Sequence, residues 1–126
     1  MLLYITYGTN DLPRAQRFYA PTLAALGIVQ MMQAKDEYGY GLPGDTDPGF
    51  YIIQPFDKQP ATRGNGTMLA LTAPTRAAVD AFHAAALASG GTDEGAPGLR
   101  YSPTFYSCYV RDPDGNKHSA VCDGPA

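Results

Sequence analysis

Apolar residues recur along this chain with two different periods, and the order in which the periods alternate repeats once. Residues 2–7 form a short apolar and aromatic run without charge, the pattern of a strand. Gly8-Thr9-Asn10-Asp11 interrupts it: Asn10 or Asp11 can cap a helix, and Pro13 fits within a first turn. Leu12, Ala15, Phe18, Tyr19, Leu23 and Leu26 then follow at helical spacing, which predicts a helix whose single apolar stripe needs a sheet beneath it. Gly27 closes that helix, and strands are expected over 28–32, 37–42 and 50–54, with residues 42–49 a loop that takes up Pro43 and Pro48.

The second half repeats the order. After a polar, Pro- and Gly-rich connector, a strand is expected over 67–73, then a helix entered through Pro74-Thr75 and carrying Ala77, Ala78, Val79, Ala81, Phe82, Ala85, Ala86 and Leu87. Gly90-Gly91 stops it. A less regular strand follows near 92–96, then a Gly/Pro-rich loop through Leu99, a strand over 104–110, the turn Asp112-Pro113-Asp114-Gly115 and a last strand over 116–122. The expected architecture is α+β: one domain over 1–126, built of strand-helix-strand-strand-strand modules at 1–56 and 64–122 joined by connector 57–63.

Composition narrows this picture. A chain of 126 residues suits one domain and can bury roughly two-thirds of its extended surface, so its core needs neither metal nor disulfide staples. Nine Lys and Arg stand against twelve Asp and Glu, a net charge of −3 with no basic stripe, which argues against a nucleic-acid partner. Apolar runs are too short for a membrane span, and Met1 leads directly into a strand pattern, so a cytoplasmic protein with no membrane partner is expected. Cys108 and Cys122 lack zinc-cluster spacing and read as two reduced thiols.

Three stretches together carry a resemblance: Tyr4-Ile5-Thr6-Tyr7-Gly8-Thr9-Asn10-Asp11-Leu12 with Arg14 and Arg17-Phe18-Tyr19; Gly64-Asn65-Gly66-Thr67-Met68-Leu69-Ala70-Leu71 with Arg76 to His83; and Gly95-Ala96-Pro97-Gly98 through Tyr101, Phe105 and Tyr106 to Tyr109-Val110-Arg111-Asp112-Pro113-Asp114-Gly115-Asn116-Lys117. In order and spacing the chain resembles the glyoxalase/bleomycin-resistance/dioxygenase superfamily, the vicinal-oxygen-chelate fold. The resemblance implies paired βαβββ modules curved around a cup, and a homodimer, since many short members complete two cups between subunits. It also implies metal-ligand positions, in metal-using members two histidines and a glutamate, that correspond here to Tyr4, Met68 and Ser119. Tyr, Met and Ser are poor substitutes for two imidazoles and a carboxylate, so no metal and no other cofactor is expected. Of the two histidines, His118 neighbours Ser119 and should face the opposite side of its strand, and His83 falls within the second helix's packing stripe.

Period two puts Tyr4 with Thr6, and Met68 with Ala70, on common strand faces. A plain turn at 112–115 would set Cys108 beside Ser119 and Tyr106 near Val121. The expected cup is therefore Tyr4, Thr6, Met68, Tyr106, Cys108 and Ser119, approached by a mobile loop bearing Arg100 and Tyr101. Arg111, Asp112 and Asp114 are assigned to the hairpin turn, and Tyr38, Tyr40 and Tyr51 to sheet packing or a dimer interface. Such a cup suits metal-independent binding or sequestration of a small, partly aromatic molecule. The alternatives are a divergent lyase, isomerase or dioxygenase of the same superfamily, or a non-catalytic interaction domain.

Overall fold

The structure is a computed structural model that describes residues 1–125. Its strands and helices run β1 (Ile5–Gly8), α1 (Leu12–Ala24), β2 (Val29–Gln33), β3 (Glu37–Gly41), β4 (Phe50–Ile53), β5 (Leu69–Thr72), α2 (Arg76–Ala88), β6 (Thr92–Leu99), β7 (Phe105–Arg111) and β8 (Lys117–Asp123). These are two βαβββ modules. Each forms a four-stranded sheet, ordered β1-β4-β3-β2 and β5-β8-β7-β6, in which the first strand pairs in parallel with the last and the others are antiparallel.

Local chemistry starts both helices in the same way. The Asp11 carboxylate accepts from Arg14 N at 3.0 Å, and Thr75 Oγ1 accepts from Ala78 N at 3.0 Å, each satisfying a donor that has no partner inside the helix. Gly27, at φ 76°, lets the chain leave α1 in the left-handed region. The stripe Ala15, Phe18, Tyr19 and Leu23 is buried against the first sheet, and Val79, Phe82 and Ala86 against the second.

Two boundaries differ from the sequence expectation. The first strand opens at Ile5, and Met1, Leu2 and Leu3 lie exposed ahead of it. The sixth strand runs to Leu99, through residues whose glycines and proline suggested a loop; register shifts between Asp93 and Gly95 and between Gly95 and Gly98 absorb them as bulges. Among the described residues no helix is long and apolar enough to cross a membrane.

The helix-bearing faces of the two sheets share one core. The Tyr7 ring stands edge-on to His118 at 5.1 Å, Phe50 meets His118 at 5.7 Å, and Tyr19 lies 5.4 Å from the same imidazole. A polar cluster crosses this seam. The Tyr19 hydroxyl donates to Asp112, and His118 Nε2 lies 2.8 Å from the same hydroxyl. With the phenol proton committed to Asp112, Nε2 carries the imidazole proton and Nδ1 is left without a partner. Burial pulls the His118 pKa down to about 3. Burial also raises Asp112, against the opposing hydrogen bonds of Tyr19 and Asn116.

The β7-β8 turn completes the tie. Asp114, with 3% of its side chain exposed, accepts from Asn10 N at 3.0 Å, from Arg14 Nη2 at 2.8 Å and from the Thr9 hydroxyl. Asn116 Nδ2 donates to Gly8 O at 2.9 Å, so the strand-to-helix corner of the first module sits in the turn of the second. Asp114→Ala removes the charged acceptor shared by the Thr9 hydroxyl and Asn10 N–H, with Asp11 O at 3.2 Å left to the hydroxyl and half-exposed Arg14 adding little; urea unfolding should show a loss of about 1–2 kcal/mol. A second expectation follows from His118, whose folded pKa lies below the unfolded value: its stabilisation is present above about pH 6.5 and declines as pH falls toward 3. Between pH 7 and pH 5 that decline amounts to about 2 kcal/mol by linkage. Asp112, raised by burial, acts in the opposite sense. Comparing urea midpoints of the wild type and His118→Gln at both pH values therefore isolates the imidazole, and the variant should lose less stability on acidification.

Candidate functional site

The hairpin joining β7 to β8 decides which side chains reach the open face of the second sheet, the face turned away from α2. Gly115 N donates to Asp112 O and Asp112 N to Asn116 O, both at 2.9 Å, with Gly115 at φ 90°. Arg111 therefore pairs with Lys117, and five residues rather than four lie outside the ladder. This is a type I turn followed by a left-handed glycine, which lengthens the loop by one residue. Tyr109 thus pairs with Ser119, Cys108 with Ala120, and Tyr106 with Cys122.

That single-residue displacement corrects the expected cup, because a slip of one exchanges the two faces of a strand. Cys108 and Tyr106 belong to the helix side. Cys108 Sγ donates to Val79 O at 3.8 Å, and burial pushes its thiol up to about 11, which removes it as a nucleophile at neutral pH. The Tyr106 hydroxyl donates to Asp80 on α2 at 2.7 Å, with Arg76 over its ring. In their place Ser107 and Tyr109 share the open face with Lys117 and Ser119. The sequence held a signal for this: Gly115, third after Asp112, is the left-handed position of such a turn.

Arg100 closes off this face instead of riding on a free loop, correcting the expectation of mobility. Its guanidinium donates to Ala96 O at 2.7 Å, to Gly98 O at 3.2 Å and to Ser107 O, and lies 5.0 Å from the Tyr109 ring centroid. Gly95 makes the approach possible: a Cβ there would stand 2.9 Å from the Tyr109 ring and 3.1 Å from Arg100 Nη2. Tyr101 is exposed at φ 65°, its ring edge-on to Phe105 at 5.3 Å. Arg111 donates to Gly115 O at 2.8 Å and pairs with Glu94 at 2.6 Å, and Asp112 accepts from Asp114 N and Asn116 N, so these residues serve the turn as expected.

On the first sheet, Tyr4 and Thr6 are exposed on the face opposite Ile5 and Tyr7. Tyr4 stands edge-on to Tyr51 at 5.3 Å, and the two line a depression of about 290 Å³ with Leu3, Asp47 and Pro48. Tyr38 and Tyr40 instead point into the core. Met68 and Ala70 are exposed ahead of and within β5, while Ser119 is 1% exposed and its hydroxyl has no partner among the described residues. A separate depression of about 210 Å³ opens on the helix side between Ile5, Leu23, Ile28, Phe50, Leu69 and Leu71. Its lining is mainly apolar, with the Asp45 carboxylate and the unpartnered Tyr40 hydroxyl as its polar side-chain groups; Asp45 already accepts from Leu42 N at 2.9 Å. The structure therefore does not gather the expected residues on one wall: Tyr4 and Thr6 occupy one sheet, Met68 and Ser119 the other.

The family model described as Glyoxalase/Bleomycin resistance protein/Dioxygenase superfamily matches residues 2–118. The chain belongs to this superfamily. A glyoxalase/bleomycin resistance protein from Albidiferax ferrireducens T118 is similar at 42% identity, with 94% of each chain covered and a TM-score of 0.84. The fold is shared more distantly by a glyoxalase-related enzyme from Fulvimarina pelagi, at 20% identity over 96% of this chain and 86% of that one, TM-score 0.75. It is shared too by TnmS3, an antibiotic binding protein from Streptomyces sp. CB03234, at 20% identity over 98% and 96%, TM-score 0.65. Among proteins of curated function none matches.

Where metal-using members of the superfamily place their ligands, this chain offers a phenol, a thioether and an alcohol, all on the open faces. The set contains no imidazole or carboxylate and does not fit a divalent ion. The two histidines are engaged elsewhere, His118 in the core and His83 with Asp93 at 2.8 Å. Among the described residues no three His, Cys, Asp or Glu side chains gather as a metal site. The placement of the thiols is directly testable. In native protein an aqueous maleimide should modify half-buried Cys122 and leave Cys108 intact, with both labelled in urea, as read by peptide mass spectrometry.

Proposed function

We propose that the protein binds and sequesters a small, partly aromatic molecule without a metal, in a cup completed between two copies of the chain. Within one chain the helix-bearing faces of both sheets meet in the common core, so the open faces look outward from it. A complete cup then needs the first-module face of one protomer and the second-module face of its partner. The first strands of both sheets, β1 and β5, are edge strands, and exposed Leu2, Leu3, Tyr4 and Met68 cluster at their starts, an apolar margin suited to a partner copy.

The observation that carries the binding reading is the Tyr4–Tyr51 edge-to-face pair over its depression. It offers two ring surfaces to a planar guest where metal-using relatives would place a ligand. The antibiotic-binding TnmS3 supports it as an instance of the fold used for capture. The metal-poor donor set points the same way.

Titrating metal-free protein with a library of planar aromatic compounds, followed by calorimetry, should find saturable binding at one site per protomer, unaltered by a chelator. Tyr4→Ala should weaken the best binder about tenfold, the order expected for losing one aromatic wall. Sedimentation should show a dimer. Absence of saturable binding across the library, or binding that a chelator abolishes and added divalent metal restores, would overturn the reading.

A further inference from the structure

The open face of the second sheet contains a cation, Lys117, that forms no ion pair among the described residues. Its Nζ lies 5.4 Å from the Tyr109 ring centroid. Arg100 lies against the same ring, its two terminal nitrogens held by three backbone carbonyls, so its charge is fixed in place, and no ion pair among the described residues involves it. The nearby Arg111, by contrast, is matched by Glu94. Cross-strand from Tyr109 stands Ser119, whose buried hydroxyl has no hydrogen-bond partner among the described residues. A buried hydroxyl left unsatisfied in a wall otherwise well supplied with hydrogen bonds marks a position where an acceptor or donor is missing.

From this arrangement we propose that Lys117, Tyr109 and Ser119 form a subsite for an anionic substituent, a carboxylate or phenolate, carried by the aromatic molecule that the cup binds. The proposal rests on the binding reading above and adds a charge requirement to it. Lys117 supplies a positive charge without an ion-pair partner among the described residues, and Arg100 a second one, held by backbone carbonyls, that favours the same sign of guest. Tyr109 and Ser119 supply hydroxyl donors on the same face. Partial burial works to raise the Tyr109 phenol, but hydrogen bonding with Ser107 and Tyr101 and the charges of Arg100 and Lys117 outweigh it and bring the group below its ordinary value. A more acidic phenol is a stronger donor to an anion. Gly95 and the carbonyls that hold Arg100 build the wall in advance, so little ordering is left for the ligand to impose.

The test compares two probes of one shape and different charge, naphthalene-2-carboxylate and naphthalene-2-carboxamide, titrated into the wild-type protein by calorimetry. The carboxylate should bind about tenfold tighter than the amide, and the preference should shrink as salt rises. Lys117→Met should close the gap between the probes, Lys117→Arg should keep it, and Tyr109→Phe should narrow it severalfold. Equal affinity of the two probes in the wild type, or a gap that survives Lys117→Met, overturns the anion subsite while leaving the cup as a binding site. If neither probe binds, the subsite is overturned and the cup reading is weakened with it; binding of the amide without the carboxylate overturns the subsite alone.

Discussion

Two aspartates in one turn hold this molecule's halves in register. Asp112 is buried among four donors, the Tyr19 hydroxyl, Asn116 Nδ2 and the backbone N–H groups of Asp114 and Asn116, which offset part of the cost of burying its charge. Asp114, two residues on, turns outward to the corner between β1 and α1 and accepts from Thr9, Asn10 and Arg14. One short segment of the second module is therefore both its own hairpin and the socket for the first. The shared aromatic core around His118 follows from that docking, and so does the outward aspect of both open faces, on which any ligand must land.

Most of the architecture was legible in the sequence because helix and strand periods are local properties. The stripe from Ala15 to Leu23 follows from the chain's own spacing, and the structure resolves the choice between Asn10 and Asp11 in favour of Asp11 and makes Thr75, at the expected helix entry, the second cap. Strand β6 was not legible past Ala96, since Gly95, Pro97 and Gly98 read as punctuation. In the fold they are bulge positions that let β6 pass Tyr109 closely. The role of Asp114 was half legible: its turn chemistry shows in Asp-Pro-Asp-Gly, but a hydrogen bond across 105 residues leaves no mark in spacing.

The candidate site was legible only in part for a related reason. Tyr4, Thr6 and Met68 reach the open faces by simple alternation. Tyr106 and Cys108 required the register of a hairpin, and register depends on whether a turn holds two residues or three between its closing pair. The thermodynamic difference between those turns is small beside the burial of His118, Cys108 and Ala120 that the longer one secures. The face change replaces a thiol and a helix-bound phenol with Tyr109, Ser107 and Lys117, and so moves the wall's chemistry from nucleophilic to cationic and hydroxylic.

Gly115 also bears on how such a wall can change over generations. Point substitutions along β8 alter one side chain of the wall at a time, and each leaves the core as it was. Loss of a single codon within residues 112–116 would do something no substitution can: it would turn the whole strand over, sending His118 and Ala120 toward the ligand side and Lys117 and Ser119 into the core. Turning Lys117 and Ser119 toward the core while exposing His118 and Ala120 would cost the fold the burial that the present register secures. The wall can therefore drift in composition but not in length at the turn, so diversity among relatives in this region should lie in the identity of residues on the strands, with the spacing from Asp112 to Lys117 held constant.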